Sequence, residues 1–259
     1  MRKLIFILPT ILLILFQSSL SYAGFATSTS RIIYTEGERE QSLILANIND
    51  YPIIAQTWVD DGTGNPDQAQ APFVVLPAIF KMQPKAIQAI RIVQNGSAMP
   101  QDRESVYWLN LYEIPGKTKE QSQPLEPNQA RLDLAMNTQM KVFYRPKALA
   151  KMEVKQIVEQ LHFSLQQEQG QWVLNCQNPT PYNVSFAGIT IVQGAQNIVV
   201  PQDMDMMTLA LSQRIYLLPT EFNQPQFEQI KFSIIGEDGH LYQGIFDQKT
   251  EKITLEPNL

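Results

Sequence analysis

The sequence predicts an all-β protein: an immunoglobulin-like sandwich followed by a second all-β domain. Three observations carry that prediction. From Arg131 onward, Leu132, Leu134, Met136, Thr138, Met140 and Val142 alternate with Arg131, Asp133, Ala135, Asn137, Gln139 and Lys141, the period of a strand with one greasy and one wet face. Short apolar runs elsewhere are separated by turn residues such as Asn49-Asp50, Asn95-Gly96 and Pro115-Gly116, at the spacing of a sandwich. Arg145-Pro146-Lys147-Ala148-Leu149-Ala150 then reads as a junction, because Pro146 disfavours continuation of the strand.

The elements follow in order. Arg2 and Lys3, an apolar run from Leu4 to Phe16 and the small residues Ser21 and Ala23 make a secretory signal, with cleavage expected after Ala23. The run is interrupted by Pro9 and is short for a bilayer span; an uncleaved anchor is the alternative. Strands are expected over 25–34, 42–49, 53–59, 73–76, 87–93, 105–114 and 131–144, each a β-branched or aromatic run between turn residues. The last is about twice the usual strand length of roughly five or six residues, and an apolar row that long invites edge-to-edge pairing unless something covers it. A short helical turn is expected within 151–160. Further strands are expected over 161–166, 172–176, 182–192, 197–200, 208–211, 215–218, 229–235 and 241–246. The domains so defined are a leader at 1–23, a first domain at 24–145 and a second at 146–259. The roughly 235 residues after the leader would also fit one large sandwich.

Charge and composition exclude several function classes. Without Arg2 and Lys3 there remain 18 basic residues against 25 acidic ones, a net charge of −7, which argues against nucleic acid or anionic lipid as partner. Cys176 is the only cysteine, so no internal disulfide forms even in an oxidising compartment. His162 and His240, the only histidines, stand in no metal spacing and read as surface or strand residues. Cys176, between Asn175 and Gln177, reads as a buried, inert thiol. Asp60-Asp61 lies in a turn-rich stretch and reads as a pair of solvated loop acids. No nucleophile elbow, phosphate-cradling glycine loop or dinucleotide fingerprint is present. No catalytic residue, metal or cofactor is expected.

Several phrases together point to one family: Ser30-Arg31-Ile32-Ile33-Tyr34, Pro100-Gln101-Asp102-Arg103-Glu104-Ser105, Lys141-Val142-Phe143-Tyr144-Arg145-Pro146 and Asn178-Pro179-Thr180-Pro181-Tyr182. In this order they resemble the PapD-like periplasmic pilus chaperones of the chaperone–usher pathway, over essentially the whole chain after the leader. The resemblance implies two immunoglobulin-like domains in a boomerang, a periplasmic location, and pilus (fimbrial) subunits as clients. Such a chaperone lends its long strand to a subunit whose own fold lacks one, a form of strand addition, and then delivers the subunit to an outer-membrane usher.

On that resemblance Leu132, Leu134 and Met136 are the lent side chains. Arg31 and Lys141 match the basic pair that grips the subunit's C-terminal carboxylate, which accepts charge-assisted hydrogen bonds from both and so sets the register of the complex. Glu104 and Arg145 match positions that tie the domains together with an acid from the second domain, where Glu237 and Asp238 are both available. The loop between 114 and 131 is short and lacks a cysteine pair, like the branch that builds rod-like adhesive pili. Met136 stands where a branched aliphatic is common, and its flexible side chain suits more than one client pocket. A free chaperone would need to hide the row, for instance as a self-capping homodimer.

The competing class is a secreted immunoglobulin-like structural or adhesive protein, in which the row from Leu132 to Met136 is buried at home or pairs with itself. A secreted hydrolase on a β-scaffold would need a nucleophile–base pair that the sequence does not offer.

Overall fold

The structure, a computed structural model, describes residues 24–68, 70–117, 130, 132, 134–220, 222 and 226–256. The expected leader with its cut after Ala23 and nearly all of the polar loop before Arg131 lie outside them.

The first unit is a two-sheet sandwich built from β1 (Phe25–Thr27), β2 (Arg31–Thr35), β3 (Gln41–Asn47), β4 (Ile53–Asp60), β5 (Phe73–Leu76), β6 (Ile79–Met82), β7 (Ile87–Gln94), β8 (Ser105–Pro115) and β9 (Met136–Arg145). One sheet runs β1-β3-β7-β5 and the other β2-β9-β8-β4-β6. Leu43, Leu45, Ile90 and Ile92 of the first sheet close on Ile53, Leu109, Leu111 and Val142 of the second, all at or near zero exposure. Burial alternates along these strands, as in β3 and β4, because successive side chains leave opposite faces of the sheet.

The second unit opens with α1 (Val154–Val158), whose entry is capped when Gln156 Oε1 accepts the Glu153 N–H at 2.8 Å. It continues as β10 (His162–Glu168), β11 (Gln171–Asn178), β12 (Val184–Gln193), β13 (Gln196–Val199), β14 (Met207–Thr208), β15 (Ser212–Leu217), β16 (Gln229–Ile235), β17 (Leu241–Asp247) and β18 (Lys252–Leu255). Its sheets run β10-β11-β15 and β13-β12-β16-β17-β18, with β14 on β12. Phe163, Phe186, Phe232 and Phe246 make a cluster of rings between them, with centroids 5.3 to 6.2 Å apart, a spacing at which tilted and edge-on rings attract.

The structure departs from the sequence reading at five points. The single strand expected over 25–34 is two strands on opposite sheets: β1 pairs with β3 and β2 with β9. Ser28, Thr29 and Ser30 make the crossing, with Thr27 Oγ1 donating to Thr29 O at 2.8 Å. Alternation reports a strand's faces and is silent about which sheet it joins. The segment Ile79–Met82 forms β6 against β4, though flanking prolines disguise it. β14 is only two residues where four were expected, and β18 was not foreseen. The long strand expected over 131–144 is β9, beginning at Met136, so Leu132 and Leu134 precede it.

Candidate functional site

The parallel pairing of β2 with β9 sets Arg31 directly opposite Lys141, Ile33 opposite Phe143 and Thr35 opposite Arg145. Opposed residues of paired strands share a face, here the face turned to the second unit. One Arg31 Nη donates to Ile235 O at 2.8 Å, and its guanidinium lies 5.8 Å from the Phe143 ring centroid. Arg31 Nε is buried and meets no hydrogen-bond partner among the described residues. Lys141 Nζ donates to Asp205 Oδ1 at 2.6 Å and, more weakly, to Ser185 Oγ at 3.4 Å. Burial pulls both cations below their ordinary pKa values because a low-dielectric site disfavours charge. Asp205 opposes this at Lys141, and Asp238, Glu104 and Glu237 oppose it at Arg31.

Arg145, at the end of β9, ties the two units together. It donates through Nε and Nη2 to Glu104 Oε1 at 2.8 and 2.7 Å, and through Nη2 to Glu237 Oε1 at 2.5 Å. Its guanidinium also sits 5.0 Å from the Tyr182 ring centroid. Glu104 is buried, and its second oxygen accepts the Asn183 N–H at 3.0 Å. Burial pushes the Glu104 carboxyl up, against the pull of Arg145. Burial also acts to lower Arg145, but the bonds to Glu237 and Glu104 outweigh it and hold the guanidinium above its ordinary value. Of the two acids left open, Glu237 reaches Arg145. Asp238 does not: it accepts from Tyr242 Oη at 2.8 Å and lies 3.1 Å from His240 Nδ1, within its own β16–β17 turn. A short side chain one residue further on points back into the turn it begins.

The even row along β9 divides in two. Met140, Val142 and Tyr144 are buried in the first unit's core. Met136, Leu134 and Leu132 are 43%, 64% and 79% exposed, so they are no part of that core. The backbone divides at the same place. β8 pairs with β9 from Met136 to Tyr144, whereas β2 covers the other edge only from Lys141 onward. Among the described residues the outer edge from Met136 to Met140 therefore has no neighbour.

Asp60 departs from the reading as a solvated loop acid. It is buried at the end of β4 and accepts from Trp58 Nε1 at 3.1 Å, Gly62 N at 2.8 Å and Asn110 Nδ2 at 3.0 Å. Gly62 makes this return with φ +104°, a conformation that favours glycine, and a Cβ there would come within 3.3 Å of the Trp108 ring. Asn110 Oδ1 in turn accepts from Asn137 Nδ2 at 2.8 Å and Gln139 Nε2 at 2.9 Å. β4 and β8 are thereby laced to the wet face of β9. The alternation marked Asn137 and Gln139 as polar and could not show what they hold. Asp205 was also missed; nothing in the sequence distinguishes it from Asp203 beside it.

His162 is exposed, and the His240 ring lies 3.1 Å from Asp238. Cys176 is buried, and burial pushes its thiol up to about 12, far from the range of a nucleophilic thiolate. Among the described residues no group of His, Cys, Asp and Glu side chains is placed to hold a metal, and no helix is long and apolar enough to cross a membrane.

Comparison with known proteins fits this geometry. Residues 24–150 match the family described as pili and flagellar-assembly chaperone, PapD N-terminal domain, and residues 156–245 match pili assembly chaperone PapD, C-terminal domain. The chain is 35% identical over 214 residues to a probable fimbrial chaperone, LpfB, of Escherichia coli O157:H7, covering 78% of this chain and 86% of the relative. It is 32% identical over 212 residues to the chaperone protein LpfB of Salmonella typhimurium, covering 77% and 86%. The crystal structure of the YadV chaperone superposes with a TM-score of 0.68 at 25% identity, covering 85% of this chain and 98% of that one. The SafB chaperone of Salmonella enterica, solved with the SafA pilin, matches in fold with a TM-score of 0.66 at 24% identity, covering 87% and 97%.

Proposed function

The chain belongs to the pilus-assembly chaperone family, and from that premise we propose how its own residues do the work. It is a periplasmic chaperone that binds, folds and caps pilus subunits by donating β9 to them, and delivers them to an outer-membrane usher. Export through the leader, cleavage after Ala23 and a domain boundary after Arg145 belong to the same reading.

The observation that carries it is the half-covered edge of β9. From Lys141 onward that edge is taken by β2 running parallel; from Met136 to Met140 no strand among the described residues takes it. A client strand continuing the line of β2, and parallel to it, ends its chain at Arg31 and Lys141. Its terminal carboxylate then meets the two cations of the cleft. Main-chain hydrogen bonds along the edge supply affinity, while Leu132, Leu134 and Met136 fill alternate client pockets. Burying each of these side chains is worth roughly 1.5–3 kcal/mol, so the row contributes about 4.5–9 kcal/mol before ordering costs. The cation pair adds less, because desolvating charges consumes much of what pairing returns. Its part is to set register: a one-residue slip would turn the row to the wrong face.

The lacing of Asn137 and Gln139 to Asn110 holds the donor segment against β8, and Arg145 with Glu104 and Glu237 holds the second domain against the cleft. In the free protein the exposed row is hidden by self-capping as a homodimer. No step of this cycle requires bond chemistry from the chaperone. The test is Leu134→Glu, which places a charge where the client is apolar. The variant should show the circular dichroism spectrum and the solubility of the parent yet hold no subunit. A variant that unfolds, or that still holds subunits, contradicts the reading.

A further inference from the structure

The two cleft cations are in different states. Lys141 already has a carboxylate: Asp205, from the segment leading into β14, at 2.6 Å. Arg31 has none within ion-pair distance among the described residues; one of its Nη groups meets a neutral carbonyl, and its buried Nε meets nothing. An incoming terminal carboxylate can therefore take bonds from Arg31 at once, but at Lys141 it competes with Asp205 for the same ammonium charge. Asp205 has somewhere to go, since its other oxygen lies 3.6 Å from an Arg214 Nη.

We propose that Asp205 occupies the Lys141 half of the client-carboxylate site in the free protein and is displaced by the client's C-terminal carboxylate. Asp205 thereby determines which chain ends the cleft accepts. The proposal rests on the reading of Arg31 and Lys141 as the carboxylate pair. Its physical content is an exchange of like for like. A partly buried ammonium left alone would carry an uncompensated desolvation cost, and Asp205 removes that cost while the cleft is empty. Only a ligand bringing a full negative charge and two acceptor oxygens can replace it. A neutral chain end, or the middle of a strand, offers a single carbonyl and leaves the Lys141–Asp205 pair in place. The contact is therefore a selectivity filter for free chain ends, and it also keeps the empty cleft closed between the domains.

The experiment uses the full-length exported protein and its Asp205→Asn variant, titrated with a synthetic peptide of alternating valine and threonine. The peptide is made once with a free C-terminal carboxylate and once amidated. The unaltered protein should prefer the free acid. In Asp205→Asn the acid should bind about fivefold more tightly, the scale of releasing one partly exposed ion pair, while the amide changes less than about twofold. As a reading that needs no variant, the Asp205 carboxyl-carbon NMR signal should move on addition of the acid and stay still with the amide. If the unaltered protein does not distinguish acid from amide, the carboxylate reading of Arg31 and Lys141 fails and the proposal goes with it. If it does distinguish them, but the substitution leaves the acid's affinity unchanged or the NMR signal ignores the acid, the proposal alone is overturned.

Discussion

Arg145 Nη2 and Glu237 Oε1 meet at 2.5 Å across the cleft between the two units, while the same guanidinium holds the buried Glu104. The two acids differ in surroundings: the Glu104 side chain is 3% exposed and that of Glu237 is 47%. Removing one member of a buried pair strands its partner, at about 3–5 kcal/mol. Loss of an exposed member costs about 0–1 kcal/mol. Glu104→Ala should therefore lower the unfolding free energy in urea by several times the loss from Glu237→Ala. Small-angle scattering should show Glu237→Ala more variable in shape at nearly unchanged stability. Equal urea losses would contradict the assignment of Glu104 as the structural member and Glu237 as the one that orients the domains.

Burial, partly countered by Asp205, sets the Lys141 ammonium below the ordinary value of 10.5. A base so depressed loses its proton first in the folded protein, so between its folded value and 10.5 the unfolded chain binds more protons. Stability then rises with pH across that window. Urea titrations at increasing alkalinity should show this rise in the parent and a flatter profile in Lys141→Met. Subunit capture should weaken over the same window, because the charge that meets the carboxylate is lost. Capture that persists to 10.5 would mean Lys141 does not act as a cation in binding.

Asn110 couples the buried Asp60 to the donor strand. Asn110→Leu leaves buried polar groups without a partner and should cost about 1–3 kcal/mol. Its local effect is more telling. Amide exchange at Asn137 and Gln139 should speed up, while Val142, held in the core between β2 and β8, keeps its protection. Uniform acceleration along β9 would show that the network has no special hold on the donor segment.

What was legible in the sequence depended on what alternation can encode. Period-2 patterning located β3, β4, β7, β8 and β16 to within about two residues because one face of each strand is buried. It could not divide the run containing Phe25 and Tyr34, whose halves alternate equally well on different sheets. It also overran the start of β9: Leu132 and Leu134 continue the alternation, yet the pairing with β8 among the described residues begins only at Met136. Arg31 and Lys141 stand far apart in the chain, and only the parallel β2–β9 register brings them together. Asp60 misled because an acid beside Asp61-Gly62 has the look of a turn, whereas its three hydrogen bonds allow it to be buried. Asp205 had no signal at all, since a loop acid acquires meaning only from the cation it meets.

The central claim is tested most directly by a pull-down from the periplasm of the native host, with the tagged protein beside a folded Lys141→Ala variant and bound partners identified by mass spectrometry. Small β-rich pilus subunits should appear in the parent lane and be lost from the variant. Equal recovery of subunits from both would remove Lys141 from the binding site, and a parent lane without subunits would contradict the donor-strand account itself.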